Sequence, residues 1–147
     1  MKKIIVKSLS ILGFTLPVAS CAVMYGSPSA DYEVKGKVLD ADGDPIKEIK
    51  VRLQDDRHYA YTSQDNECQS LDNGDYAVRL NSIPTDKLYL VVQDIDGAEN
   101  GGEFEEKTVE LDFSKIKYTG DKDAWYSGKK SLEQDVVLEE KIDGEQE

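Results

Sequence analysis

The feature that most constrains the fold is a series of short segments in which apolar and polar residues alternate between turn signals. The first, YEVKGKVLD at residues 32–40, places Tyr32, Val34 and Val38 on one face and charged residues on the other. A period of two residues is typical of a half-buried β-strand. An Asp-Gly pair and a proline follow within five residues, and they predict a hairpin corner.

Six further segments repeat this pattern. They lie at residues 46–54, 57–63, 71–80, 86–96, 104–113 and 131–140. The segment 86–96 is the most apolar and is expected to be a central strand, buried on both sides around Tyr89–Val92. No segment has the periodicity of an amphipathic helix of ten residues or more. The sequence therefore predicts an all-β fold, a single antiparallel β-sandwich of about seven strands.

The first twenty residues have the layout of a secretory signal peptide, with a basic start and an apolar run that is too short and too interrupted to span a membrane. Val18, Ala19 and Ser20 stand directly before Cys21 and resemble the lipobox of bacterial lipoproteins. In those proteins the cysteine sulfur receives a diacylglycerol and the peptide is cut just before it. The resemblance implies a protein anchored in the bacterial cell envelope, and an outer-membrane position is expected. An ordinary secreted protein, cleaved after Ala19 or Ser20, is the alternative.

These signals divide the chain into four parts. Residues 1–20 form the signal peptide, 21–31 the lipidated cysteine and tether, 32–140 the sandwich, and 141–147 a disordered acidic tail. Removal of residues 1–20, which hold three Lys and no acid, changes the formal charge from −12 to −15. Such a charge disfavours nucleic acid as a partner and is compatible with cationic partners or divalent metal.

No catalytic pattern is found, and the chain is expected not to be an enzyme. The only histidine, His58, has no nucleophile or metal ligand near it in sequence, and no phosphate-binding loop is present. Cys68 is expected to lie in a loop. It is also expected to be an odd thiol, because acylation of Cys21 removes its only disulfide partner in the chain.

The segment QDIDGAENGGEFEE is the most site-like part of the chain. Its oxygen-bearing residues are Asp94, Asp96, Glu99, Asn100 and Glu103, and the glycines between them allow the backbone to fold tightly. Calcium takes six to eight oxygen ligands of this kind, although the spacing is not that of an EF-hand. A calcium-stabilised surface adhesin or glycan-binding protein is the function this loop would support. An acidic loop without an ion is the alternative.

Two further parts of the sequence, the tether and a set of aromatic residues, are candidate binding features. The tether contains Met24, Tyr25, Gly26 and Pro28, which are expected to form either a docking or processing motif or a short linker that packs on the domain. The aromatic residues that could line a carbohydrate or peptide groove, with packing as the alternative, are Tyr59, Tyr61, Trp125 and Tyr126.

Residues 32–80 resemble carboxypeptidase regulatory-like domains, which have a transthyretin-type sandwich. The residues that carry the resemblance are Gly36–Asp40, Gly43–Ile46, Ile49–Leu53 and the turn Ser70–Tyr76, in which the aspartate stands one place later than in the family. The resemblance implies a fold and no activity, since such sandwiches serve as accessory and adhesive modules.

A narrower resemblance covers nearly all of the mature chain. CAVMYGSPSADYEVKGKV, QDIDGAENGGEF and the late AWYSGK are similar to small bacterial lipoproteins described as radical SAM-associated, which are named for occurring beside a radical SAM enzyme. This resemblance implies a lipid-anchored sandwich that is linked to that enzyme as its partner or as its substrate. Another envelope protein is the alternative partner.

Overall fold

The computed structural model describes residues 26–55 and 65–142, and they form eight strands and no helix. The strands are β1 (Ser29–Leu39), β2 (Ile49–Gln54), β3 (Glu67–Gln69), β4 (Asp75–Ser82), β5 (Lys87–Asp94), β6 (Lys107–Asp112), β7 (Tyr126–Glu133) and β8 (Val136–Val137). They build two sheets of four strands each. The predicted all-β class is confirmed, and the two sheets are consistent with a sandwich. No helix in the described ranges could span a bilayer.

The first sheet has the order β4–β1–β7, with β8 also paired to β1, and the second has the order β3–β2–β5–β6. All pairs are antiparallel except β1 with β7 and β1 with β8, which are parallel. The prediction of a wholly antiparallel sandwich is therefore wrong in the first sheet. Strand β6 ends beside the start of β5, so the connection 113–125 returns to the end of the sandwich where β1 begins. Strand β7 consequently runs in the same direction as β1.

The core lies between the sheets and follows the predicted alternation. Buried side chains alternate along β1, β2 and β4, and the three residues Leu90, Val91 and Val92 are all buried in the central strand β5. The largest fully buried residue is Tyr32, whose ring meets the edge of Phe113 with 5.1 Å between centroids. Such aromatic pairs add stability beyond the area that they bury.

Two strands differ from the sequence prediction. The predicted segment 131–140 covers only the last three residues of β7, together with β8. The first part of β7, YSGKK, has no apolar alternation and is not predicted, because the buried position in the middle of the strand is a lysine, Lys130. Cys68, expected in a loop, lies instead on the edge strand β3 opposite Val51. Its intermediate burial against the core explains why a short strand forms there. The strand expected at 57–63 lies outside the described residues.

Strand β1 begins earlier than the predicted boundary at Tyr32. The Ser29 N–H donates a hydrogen bond to the Trp125 carbonyl at 2.7 Å, and Ala30 is fully buried. At the other end of the chain, the Lys141 N–H donates to the Glu103 carbonyl at 2.8 Å. Residues 143–147, most of the predicted tail, lie outside the described residues.

The connections gather at two opposite ends of the sandwich. We use "near end" for the described segments 26–28, 83–86 and 113–125, which lie where β1 begins. We use "far end" for the segments 40–48, 70–74, 95–106 and 138–142. Hydrogen bonds join the far-end segments to one another, for example Glu48 N–H to the Ser70 carbonyl and Glu105 N–H to the Glu139 carbonyl.

Candidate functional site

A groove of about 570 Å³ opens between strands of the two sheets. Strands β1, β3 and β4 and the junction between β7 and β8 form its walls. The lining residues are Lys35, Gly36, Lys37, Cys68, Gln69, Leu71, Asp75, Tyr76, Ala77, Glu133 and Asp135. The lining thus combines charged groups of both signs with apolar side chains, which is the composition of a site for a ligand with polar and apolar parts.

Gly36 shapes this groove because no larger residue fits there. A Cβ atom on Gly36 would lie 1.9 Å from the Gln134 carbonyl oxygen. The cross-strand partner of Gly36 is Tyr76, whose hydroxyl donates to that same carbonyl. Burial raises the pKa of Tyr76, so the hydroxyl keeps its proton for this bond. The glycine therefore brings the β7–β8 junction against β1.

The groove also holds one thiol and one exposed ion pair. Burial raises the pKa of Cys68, against a smaller opposite effect from a hydrogen bond with the Ala77 backbone. A raised pKa lowers the thiolate fraction at neutral pH, so Cys68 is a poor nucleophile. At the groove margin the Lys37 ammonium lies 2.8 Å from the Asp75 carboxylate and lowers its pKa.

Glu33 is an almost buried carboxylate on β1, only 4% exposed, outside the predicted sites. Three cations surround it: Lys129 at 2.6 Å, Arg79 at 3.0 Å and Lys35 at 3.3 Å. The hydrogen bond from Lys129 is the largest cause that lowers the Glu33 pKa to about 2. The alternating pattern of β1 places this residue on the polar face, but it does not indicate the two cations that come from β4 and β7.

The predicted calcium residues lie at the far end, where several of them bind their own loop. The two Asp94 carboxylate oxygens accept hydrogen bonds from the Asp96 N–H at 3.1 Å and the Phe104 N–H at 3.0 Å. Burial is the main reason that the pKa of Asp94 is raised. The Asn100 amide donates to Asp96 and, at 2.8 Å, to Glu48. The bond from Asn100 lowers the pKa of Asp96.

Hydrogen bonds within the loop thus involve Asp94, Asp96 and Asn100, and among the described residues no such bond to these three is found for Glu99 or Glu103. Glu103 pairs with Lys141, and Glu99 is exposed. Across the described ranges, no three His, Cys, Asp or Glu side chains converge as metal ligands. Calcium binding by this loop remains a prediction.

The near end contains a polar cluster that the sequence did not indicate. Lys130, only 4% exposed, donates to the Phe113 carbonyl at 2.8 Å and lies 4.5 Å from the centre of the Tyr118 ring. The Tyr32 hydroxyl donates to the Thr85 carbonyl at 2.8 Å and accepts from the Thr85 N–H at 2.7 Å. No local pattern signals these contacts, because their partners are distant in sequence.

The predicted aromatic groove and tether are only partly described. Trp125 is 51% exposed, and the Tyr126 hydroxyl donates to Asp31 at 2.7 Å. Gly26 lies against the Trp125 ring, since a Cβ atom there would be 3.7 Å from the ring. Pro28 is exposed directly before β1. The other predicted residues lie outside the described ranges: Val18, Ala19, Ser20, Cys21, Met24, Tyr25, His58, Tyr59 and Tyr61.

Comparisons with protein-family models and with curated proteins found no match to this chain. Solved structures with a similar fold include a variant of catechol 1,2 dioxygenase from Acinetobacter radioresistens, with a TM-score of 0.50 and 12% identity. That likeness covers 77% of this chain and 53% of the dioxygenase, so the chain spans about half of the enzyme's length. The major pilin subunit BcpA of Bacillus cereus is also similar, with a TM-score of 0.46 and 11% identity over 76% of this chain and 31% of the pilin.

The likeness to a dioxygenase contradicts the prediction that this chain is not an enzyme. That prediction used the lack of a catalytic motif in a sandwich-type sequence, whereas the same fold occurs in a domain of an enzyme. The lack of a recognisable catalytic motif in the sequence is therefore not evidence that this chain is not an enzyme. At 12% identity the likeness shows the fold alone.

Proposed function

We propose that this protein is a lipid-anchored protein of the bacterial cell envelope whose β-sandwich acts as a binding or accessory module close to a bilayer. The lipobox of Val18, Ala19, Ser20 and Cys21 supports the anchor. The groove supports the binding role, because its lining combines apolar side chains with charges of both signs. The resemblance to carboxypeptidase regulatory-like domains supports a transthyretin-type arrangement of the sandwich.

The observation that carries the proposal is the short distance between the lipobox and the fold. Only residues 22–28 separate Cys21 from the start of β1 at Ser29. Seven extended residues span at most about 25 Å. A lipid on Cys21 would therefore keep the sandwich beside the membrane, within reach of partners that are held there too.

The radical SAM enzyme implied by the sequence resemblance is the partner that we propose. The protein would be either its accessory protein or its substrate. A substrate would carry a covalent modification in addition to the lipid, whereas an accessory protein would not, so intact mass distinguishes the two.

The two cysteines supply a matched test of the anchor. The full chain, Cys21→Ser and Cys68→Ser are expressed in a bacterial host that is fed an alkyne fatty acid, and the membrane fraction is analysed by labelling and intact mass. We expect the label on the full chain and on Cys68→Ser, and its loss in Cys21→Ser. Equal labelling of the Cys21→Ser variant, or an intact mass of the unmodified chain from Met1, contradicts the proposal.

A further inference from the structure

The near end of the sandwich exposes apolar side chains at the point where the tether joins the fold. Trp125 is 51% exposed, Ile83 is 37% exposed and Tyr118 is 36% exposed, whereas the exposed apolar residues of the far end, Leu71, Ile95 and Ile142, are all aliphatic. They lie on the connections that surround the start of β1, because Ser29 bonds to the Trp125 carbonyl and the Tyr32 hydroxyl lies 3.3 Å from that of Tyr118. Tryptophan and tyrosine are the residues that prefer the interface between lipid and water.

The Trp125 ring lies close to the proposed anchor. It contacts Gly26, only five residues after Cys21. Five extended residues span at most about 18 Å. The headgroup layer on each side of a bilayer is roughly 5 to 7 Å thick, so a lipid on Cys21 leaves this ring within reach of it.

The charges of the two ends also favour the near end as the side that faces the bilayer. The near-end segments hold three lysines and three aspartates, and the Asp55 carboxylate lies beside them, because it accepts a hydrogen bond from Ser82 at the end of β4. Lys115, Lys117 and Lys122 are exposed and make no ion pair with any residue that the structure describes. In contrast, the far-end loop 95–106 holds five acidic residues and no lysine or arginine. Of the two ends, the near end is the less acidic and is the one that an anionic bilayer repels less.

We infer that the near end is a membrane-contacting surface, in which Trp125, Tyr118 and Ile83 enter the lipid headgroup region while the three lysines face anionic headgroups. This inference rests on the proposed function, since the lipid on Cys21 brings the surface to the bilayer. The two acyl chains of the diacylglycerol hold the protein on the bilayer, and the surface contact adds to that attachment. The contact also fixes the orientation, with the acidic far end directed away from the membrane.

The single tryptophan makes the test specific, because Trp125 is the only one in the chain. The native protein is reconstituted into phosphatidylethanolamine and phosphatidylglycerol vesicles that contain brominated lipid, which quenches tryptophan near the acyl chains. In a second sample, the chain from Cys21 onward with Cys68→Ser is coupled through the Cys21 thiol to a maleimide phospholipid in the same vesicles. This sample tests the surface even if the native chain carries no lipid.

A second reporter gives the matched control. Trp125→Phe combined with Ile142→Trp moves the tryptophan to the far end, to a position that is 91% exposed. We expect brominated lipid to reduce the fluorescence of Trp125 and to shift its emission to the blue, with no change for the reporter at position 142. We also expect the quenching to fall when Lys115, Lys117 and Lys122 are replaced by Glu.

The outcomes separate the two proposals. An unlipidated native protein whose thiol-coupled form still shows quenched Trp125 contradicts the anchor and supports the surface. Equal quenching of the two reporters in the thiol-coupled sample, or none of either, overturns the surface whatever the native lipidation is.

Discussion

The two ends of the sandwich are held together in different ways. At the far end, short side chains bind backbone groups close to them in sequence: Asp40 Oδ1 accepts hydrogen bonds from the Asp42 N–H and the Asp44 N–H at 2.9 and 2.8 Å. The near end has such turns too, since Asp123 Oδ1 accepts from the Trp125 N–H, but the long side chains of Tyr32 and Lys130 there bond to the distant Thr85 and Phe113 carbonyls. Local turns thus occur at both ends. The far-end turns are joined by backbone bonds between loops, such as Glu48 with Ser70, whereas at the near end long buried side chains reach across the fold.

The largest expected effect lies at the far end and comes from Gly74. This residue has a φ of 78°, and a Cβ atom there would lie 2.7 Å from the Val38 carbonyl oxygen. Gly74→Ala should therefore add a clash to the backbone strain and lower the free energy of unfolding by about 3 kcal/mol. Urea unfolding of the purified protein measures this loss.

Gly43 is the matched control for that substitution. It has a similar φ of 87°, but nothing lies within 4 Å of the position of its Cβ atom. Gly43→Ala should cost only the backbone strain, about 1 kcal/mol. If both variants lost the same free energy of unfolding, the contact between Gly74 and the Val38 carbonyl would contribute nothing beyond the backbone strain of the turn.

A smaller effect is expected at Glu33, whose cations come from β1, β4 and β7. In the unfolded chain this glutamate takes up its proton near the ordinary pKa of 4.5, whereas the folded protein keeps Glu33 ionised down to about pH 2. The stabilisation is therefore present above pH 4.5 and is lost as the pH falls towards 2. Because the three cations are partly exposed, we expect it to be about 2 kcal/mol.

Glu33→Gln should lower stability by this amount at pH 7, and the difference from the native chain should vanish near pH 2. Chemical unfolding of both chains at a series of pH values measures that difference. The contributions of the other carboxylates are the same in both chains and therefore cancel. Glu110→Gln is the control, since its pair with Lys87 is exposed on both sides and should contribute less than about 1 kcal/mol. A constant difference from pH 7 to pH 2 would argue against the tertiary charge cluster.

The contrast between the ends explains how much could be predicted from the sequence. The alternation of β1 and the turns at Gly43 and Gly74 depend on neighbouring residues, so the all-β class and most strands could be predicted. Strand β7 could not, because its buried Lys130 is satisfied by the distant Phe113 carbonyl. The groove also depends on a tertiary contact, the approach of the β7–β8 junction to Gly36.

The smallest expected effect is that of calcium on the far-end loop. If Asp94, Asp96 and their neighbours bind calcium as weakly as extracellular modules do, with a Kd of about 1 mM, then about 5 mM calcium stabilises the native state by about 1 kcal/mol. Calcium must then compete with the hydrogen bond between Asn100 and Asp96.

The melting temperature is therefore compared in calcium, in magnesium at equal ionic strength and in chelator, for the native chain and for Asp96→Asn. The calcium hypothesis predicts a rise that only calcium gives and that Asp96→Asn abolishes. Identical melting temperatures in calcium and magnesium would instead mean that the carboxylates act only as acceptors within the loop. The loop 95–106 would then be held by protein hydrogen bonds without an ion, such as those from Asn100 to Asp96 and Glu48.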